Sequence, residues 1–231
     1  PFAAWCSEHL NLDLDGWEFG STTSTAHLGR IRMGWNMGVS RFYRGLRRVA
    51  RACAKPWRER SYDLSRRFLV PEPSTAPVWD WYRAYRRFCG LAVAQQGRSF
   101  TMTGATHLRR LAYLRELTDS RITFSPYGWG EVCFRDFEAV ACGSVLLKPD
   151  MTHLETQPNI YEPGVTYVPV RWDLEDLSAK VQWILDNPAS AEAITQEASR
   201  RIEQSAVRAV VSSAIEALVA PAARPGEAPA P

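Results

Sequence analysis

The sequence predicts an α/β fold in which a parallel sheet is flanked by helices, and two observations predict it. First, short apolar runs alternate with longer segments whose apolar residues recur at helical spacing, over residues 62–204. Alternating strands and helices indicate βαβ units and therefore parallel strands. Second, the chain has 231 residues, of which 45% are hydrophobic and 23% charged, which is the composition of an ordinary globular domain with an extension.

The predicted elements follow one another in a regular order along the chain. Pro126 should end the central strand, because proline cannot donate a hydrogen bond to a sheet ladder. We predict strands over Tyr62–Val70, Ser99–Thr103, Arg121–Ser125, Ser144–Lys148 and Val165–Val170, and helices over Val78–Gln95, Ala105–Leu117, Glu131–Ala141, Asp176–Asp186 and Ser190–Gln204.

Local patterns add detail to two of these helices. Asp173, with Asp176 three residues later, resembles the cap of a helix start. In the helix after residue 104, apolar side chains at helical spacing should form the buried stripe. That stripe consists of Leu108, Leu111, Ala112 and Leu114.

Both ends of the chain depart from this pattern. Residues 1–39 have weak periodicity, and the basic segment Ser40–Arg60 carries apolar residues at helical spacing among arginines. Such a helix either packs one face on the domain or lies against an anionic membrane surface. Residues 219–231 are too rich in proline and alanine to pack and are predicted to be a disordered tail.

Composition argues against several classes of protein. The five cysteines are odd in number and form no Cys-x-x-Cys pair, and the four histidines lie far apart, so neither disulfides nor a metal site is expected. No apolar run reaches the roughly 18–20 residues of a membrane span. A net charge of +3, without regularly interleaved aromatic residues, argues against nucleic acid as a partner. A cytoplasmic protein is expected, and the start at Pro1 suggests a fragment.

The segment 125–150, SPYGWGEVCFRDFEAVACGSVLLKPD, carries the candidate chemistry. A strand ends near its start, Gly128 and Gly130 lie in the following loop, and a helix begins near Glu131. A helix amino terminus at the carboxyl edge of a sheet favours an anion such as a diphosphate. Arg135 and Glu138 would share one face of that helix with Glu131. The same spacing also fits an ordinary Glu131–Arg135 salt bridge. The glycines form neither a Gly-x-Gly-x-x-Gly dinucleotide fingerprint nor a nucleotide-binding loop that ends in Gly-Lys-Ser/Thr.

This segment, with the later stretches 161–170 and 182–188, resembles the carboxy-terminal domain of bacterial glycosyltransferases of the GT-B fold. It is also similar to the exostosin family and to the protein O-glucosyl and O-xylosyltransferases. The resemblance covers about residues 62–204 and is strongest over 120–188. It implies a Rossmann-like donor-binding domain over 61–218, preceded by an extension, or a remnant of the acceptor domain, over 1–60.

The resemblance also implies roles for individual residues. Arg135 would contact the donor diphosphate and Glu138 the ribose, while Gly128 and Gly130 would line the phosphate loop. Trp129 would form a wall of the base or sugar site. His153 would reach the sugar or phosphate, although a lone histidine in a loop is more often a local hydrogen-bonding residue. The catalytic residues stay unassigned.

One departure from the family pattern concerns the glutamates. The retaining pattern has two glutamates eight residues apart, and Gly130 stands at the earlier position, with Glu131 seven residues before Glu138. The stereochemical course is therefore left open.

The expected function is transfer of a sugar from a nucleoside diphosphate-sugar to a glycan, lipid or protein acceptor, as in the making of cell-envelope polysaccharide. No further cofactor is implied, since the nucleotide-sugar is itself the donor substrate. Peripheral contact with the inner membrane surface is compatible with the basic segment. The alternative is a non-catalytic nucleotide-sugar-binding or assembly module derived from such a domain.

Overall fold

A computed structural model of the protein describes residues 39–72, 80–128, 130–156 and 159–205. The predicted tail, most of the extension and Trp129 lie outside the described residues. The helices are α1 (Val39–Cys53), α2 (Asp80–Gln95), α3 (Arg110–Thr118), α4 (Phe134–Ala141), α5 (Leu177–Asp186) and α6 (Pro188–Ser205). The strands are β1 (Tyr62–Ser65), β2 (Ser120–Phe124), β3 (Val145–Pro149) and β4 (Val168–Val170).

The four strands form one parallel sheet in the order β1-β2-β3-β4. On the outer side of β1, Leu64 forms a parallel bridge with Met102, within the predicted strand Ser99–Thr103. The α/β class, with a parallel sheet flanked by helices, is confirmed. After β1 the chain passes through α2 to the Met102 bridge on one side of β1. It then passes through α3 to β2, which pairs with β1 on the other side. Such a reversal is a topological switch point, where ligands bind beyond the carboxyl ends of strands.

Both faces of the central strands are covered, because consecutive residues of β3 are equally buried. This is the behaviour expected of a strand in a parallel sheet with helices on both sides. The last two helices bury residues at helical spacing against the sheet. These are Leu177, Val181 and Ile184 of α5, with Ala191, Ile194, Ala198 and Ile202 of α6.

The basic segment forms α1, which ends at Cys53, and a short 3-10 turn over Trp57–Glu59. Leu46 and Ala50 of α1 belong to the same hydrophobic core as the sheet, and the helix contacts α3 and α4. Cations of the basic segment have acidic neighbours, for example Lys55, whose Nζ lies 2.7 Å from an oxygen of Asp119. Membrane contact and the domain boundary at residue 60 stay predictions. Within the described ranges, no helix is long and apolar enough to cross a membrane.

Some predicted boundaries were wrong. The strand predicted over Tyr62–Val70 ends at Ser65, because Arg66–Val70 turns away as a loop held by side-chain contacts to its carbonyls. The third helix begins at Arg110 instead of Ala105, since the Thr106 carbonyl accepts a hydrogen bond from Arg67 Nη1 and so is engaged outside any helix.

Two local assignments also need correction. Helix α3 packs on the core through the face that carries Leu114 and Leu117, which are buried, whereas Leu111 is half-exposed and Ala112 is exposed. The stripe predicted for this helix was therefore wrong in part. At the start of α5 the N-cap is Asp176, and the Asp173 carboxylate instead accepts a bond from the Glu175 N–H.

Candidate functional site

A cavity of about 590 Å³ opens at the carboxyl edge of the sheet, beside the topological switch point. Its volume is within the range of small-molecule sites. Three segments surround it: the loop after β1, the loop leading into α3 with the start of that helix, and one face of α4. The lining consists of Arg67, Phe68, Leu69, Val70, Ala105, Thr106, His107, Leu108, Arg110, Tyr113, Arg135 and Glu138.

Glu138 of α4 supplies the acid group in this lining. Its carboxylate accepts a hydrogen bond from the Tyr113 hydroxyl at 2.8 Å, and the nearest Arg110 nitrogen lies 3.9 Å away. Burial and the Glu138 charge raise the pKa of Tyr113 above its ordinary value, so the phenol keeps its proton and donates. The glutamate side chain is 12% exposed and is therefore held at the cavity wall.

Arg135 lies one helical turn from Glu138, and part of its guanidinium is engaged by the loop after β1. Its Nε donates to the carbonyl oxygen of Arg67 at 2.9 Å, and its guanidinium stacks over the Phe68 ring at 5.8 Å. Within the described part of the chain, its two terminal nitrogens have no hydrogen-bond partner. Those nitrogens keep the forked geometry that suits phosphate oxygens.

Arg67 is a cavity residue that the sequence patterns did not single out. Its Nε and Nη2 each bind one oxygen of Glu116, both at 2.6 Å, and this carboxylate raises the pKa of Arg67. The guanidinium also reaches the Thr106 carbonyl. The sequence placed Arg67 inside the predicted strand Tyr62–Val70, and arginines are common throughout this sequence, so no pattern marked it as a site residue.

The loop of Gly128 and Gly130 lies outside the lining of the cavity. The Gly128 N–H donates to the Gly130 carbonyl at 3.0 Å. A Cβ on Gly128 would come within 3.3 Å of Cys133 Sγ, whereas a Cβ on Gly130 would meet nothing within 4 Å. A side chain is therefore disfavoured at the first glycine by close packing, and no such constraint applies at the second.

His153 lies beside this loop and not beside the cavity. Its ring makes edge contacts with Tyr127 and Trp172, with centroids 6.2 and 5.8 Å away. Its Nε2 is 3.9 Å from an oxygen of Glu131, and both side chains are partly exposed. Glu131 precedes α4, so the helical face predicted to include it begins at Arg135 instead.

A buried ion pair, Lys148 with Asp136, holds the loop between β2 and α4 in place. Lys148 Nζ lies 3.2 Å from Asp136, and both side chains are fully buried. The aspartate also accepts hydrogen bonds from Ser125 Oγ and Tyr161 Oη, each at 2.6 Å, and from the Cys133 N–H at 3.0 Å. Asp136 therefore already places a negative charge at the amino terminus of α4, where the sequence suggested an anion site.

Arg86 of α2 joins the two regions. Its Nε donates to the Leu69 carbonyl at 2.7 Å and its Nη1 to the Tyr127 carbonyl at 2.9 Å. It also stacks over Phe68 at 5.4 Å, and burial lowers its pKa. One buried cation therefore sets the loop after β1 relative to the loop after β2.

The predicted site residues thus fall into two groups. Arg135 and Glu138 line the cavity, while Gly128, Gly130 and His153 lie at the neighbouring loop, and Trp129 is outside the described residues. Their assignment to a donor stays a prediction. The sequence patterns missed Arg67, Arg110 and Tyr113, because no motif links the loop after β1 with α3.

The individual proteins that show similarity to this chain include a viral protein and an enzyme of known structure. The uncharacterized protein 027R of Frog virus 3 (isolate Goorha) is 36% identical over 76 residues, which is 29% of this chain and 7% of the viral protein. The chain therefore matches a small part of that relative. Sucrose-phosphate synthase from Thermosynechococcus elongatus is 19% identical, with a TM-score of 0.41 over 64% of this chain and 35% of that one. That likeness is too distant to bear on function.

A family model gives the firmer result. The model described as glycosyl transferase-like matches residues 81–209, which is 129 of the 231 residues and more than half of the chain. The matched stretch includes α3, α4 and the loop between β2 and α4. The chain belongs to the glycosyl transferase-like family.

Proposed function

We propose that this chain is the donor-binding domain of a glycosyltransferase and that the cavity holds the nucleoside diphosphate part of a nucleotide-sugar. One observation carries the proposal. Arg135 and Glu138, assigned to diphosphate and ribose by sequence resemblance, line the same cavity at the switch point of the sheet. Family membership supports the transferase class.

The charge of the lining suits such a ligand. Three arginines and one glutamate line the cavity, and the Glu116 carboxylate offsets the charge of Arg67. The terminal nitrogens of Arg135 match the oxygens of a diphosphate. A carboxylate accepts the two hydroxyls of a ribose, so Glu138 is suited to the sugar of the nucleoside. Leu69, Val70 and Leu108 give the apolar contact that a base requires.

The transfer step would use charge stabilisation rather than a group from this cavity acting as base. When the sugar leaves, negative charge grows on the departing diphosphate, and fixed cations that already face it lower that barrier. In this proposal Arg135 supplies that charge. The bond between sugar and diphosphate breaks as a hydroxyl of the glycan, lipid or protein acceptor bonds to the sugar and gives up its proton, and no further cofactor takes part.

Calorimetric titration of the full chain with the diphosphates of uridine, guanosine, adenosine and thymidine tests the donor site. We expect one of them to bind, and Arg135→Gln to weaken that binding at least tenfold, about 1.4 kcal/mol. The same variant should bind the free nucleoside as the unmodified protein does. Arg200→Gln is the matched control, since Arg200 is exposed on α6 and pairs with Glu197.

The absence of binding by all four diphosphates would contradict the proposal. Equal affinities for Arg135→Gln and Arg200→Gln would contradict the role of Arg135. Turnover is measured separately, as release of nucleoside diphosphate from the matching nucleotide-sugar. Binding without release would favour the non-catalytic module over the enzyme.

A further inference from the structure

Helix α3 carries a row of polar side chains at a spacing of three residues, and the first two of them line the cavity. Arg110, Tyr113 and Glu116 share one face of the helix at this spacing. Each of them lies beside a charged group of the lining: Arg110 and Tyr113 beside Glu138, and Glu116 beside Arg67. Because the Arg67 carbonyl in turn accepts a hydrogen bond from Arg135 Nε, these contacts form a ring that connects α3, the loop after β1 and α4.

Within this ring, Tyr113 and Arg110 act differently on Glu138. The Tyr113 hydroxyl makes a hydrogen bond of 2.8 Å to Oε2, whereas the Arg110 nitrogen is 3.9 Å from Oε1, beyond hydrogen-bonding distance. Arg110 is more than half exposed, so solvent screens its attraction for the carboxylate. The phenol is therefore the contact that fixes the orientation of the carboxylate.

Orientation matters because a vicinal diol needs both carboxylate oxygens at once. A glutamate has three side-chain torsions, and ordering them costs part of the binding free energy. A partner that has already fixed them reduces this cost, as outer hydrogen bonds do for ligands in other sites. Without the phenol, the carboxylate is free to turn toward Arg110 and away from the diol.

We propose that Tyr113 is a positioning residue that sets Glu138 for the ribose diol and so determines preference for ribonucleotides over their deoxy analogues. This rests on the proposed function, because it assumes that the cavity holds a nucleoside diphosphate. Tyr113 touches the carboxylate and is not assigned a contact with the reacting atoms.

The test compares a ribonucleoside diphosphate with its 2′,3′-dideoxy analogue by calorimetric titration of the full chain. We expect the unmodified protein to prefer the ribonucleotide at least tenfold. Tyr113→Phe should reduce that preference about tenfold, with unchanged affinity for the dideoxy analogue. Tyr167→Phe is the matched control, because the Tyr167 hydroxyl is bonded to the Met151 N–H away from the cavity.

A second variant separates action through Glu138 from a general structural effect. In the Glu138→Ala background, Tyr113→Phe should leave the ratio of the two affinities unchanged, since the two residues act as one unit. Equal weakening of both ligands by Tyr113→Phe, or an unchanged ratio, would overturn the inference alone. An unmodified chain that binds no ribonucleoside diphosphate would overturn the proposed function and this inference with it.

Discussion

Two charged regions lie side by side at the carboxyl edge of the sheet, and they are built in opposite ways. In the cavity, Arg135 uses only its Nε within the described structure, and Glu138 has one strong hydrogen bond. Beneath the neighbouring loop, Asp136 accepts bonds from Lys148, Ser125, Tyr161 and the backbone.

This difference indicates where the chain keeps polar groups for a ligand. A carboxylate with four donors in a dry interior has no capacity left, and its role is to fix the backbone around it. A cation with two outward nitrogens at a cavity wall retains capacity for an anion. The two regions should therefore respond differently to mutation, one in stability and the other in binding.

The largest expected effect is on the buried pair. Lys148→Met leaves the Asp136 carboxylate buried without its cation, so the free energy of unfolding should fall by about 3–5 kcal/mol. Chemical denaturation followed by circular dichroism measures it. The double variant Lys148→Met with Asp136→Asn removes both charges and should lose less than the sum of the two single changes. A loss below about 1 kcal/mol in the single variant would show that the pair does not hold the loop.

An intermediate effect is expected at Arg86, which connects the two regions. Arg86→Met removes two charge-assisted bonds to carbonyls and should lower the free energy of unfolding by about 2–3 kcal/mol. Because the variant also releases the loop after β1, nucleotide affinity should fall with it. Arg83→Met is a matched control on the same helix, since within the described residues Arg83 Nη1 donates to the exposed Glu72 carbonyl and reaches neither loop. Similar losses in both variants would argue against a specific link between the loops.

A smaller effect on stability is expected at the cavity wall. Glu138→Gln keeps an acceptor for Tyr113, so the free energy of unfolding should change by less than about 1 kcal/mol. Affinity for a ribonucleoside diphosphate should nevertheless fall about tenfold, because a neutral amide is a weaker acceptor for the diol. Titration and denaturation of the same sample check both. If Glu138→Gln lowered the free energy of unfolding and left nucleotide affinity unchanged, the cavity wall would serve stability and not binding, contrary to the comparison above.

The sequence predicted the sheet because its strands are short, apolar and separated by periodic helices. It predicted Arg135 and Glu138 because helical spacing and family resemblance pointed to the same two residues. The ends of the first strand and the start of the third helix were predicted less well. Residues 66–70 have strand character locally but are held as a loop by Arg86 and Arg135. Residues 105–109 have helix character locally but lie in a loop that contacts Arg67.

The cavity itself could not be read from the sequence. Its walls come from segments about 30 to 70 residues apart, and the contact of Tyr113 with Glu138 spans 25 positions. The sequence did not predict the buried ion pair of Lys148 and Asp136, for another reason. Lys148 ends an apolar strand and Asp136 lies in a mixed helix, so each alone is typical of an exposed residue.

The smallest effect on stability is expected at an exposed ion pair. It shows how much a charge contact contributes outside the two charged regions. Arg200 and Arg201 hold the pKa of Glu197 at about 2, below its ordinary value of about 4.5. A lowered pKa means that the contribution to stability is present above about pH 4.5 and is lost as the pH falls toward 2. The difference in denaturation midpoint between the unmodified chain and Glu197→Gln should therefore shrink over that interval. It should be the smallest of the four predicted effects on stability, because solvent screens the Glu197 carboxylate. A difference that persists at pH 2 would mean that Glu197 acts through packing and not through charge.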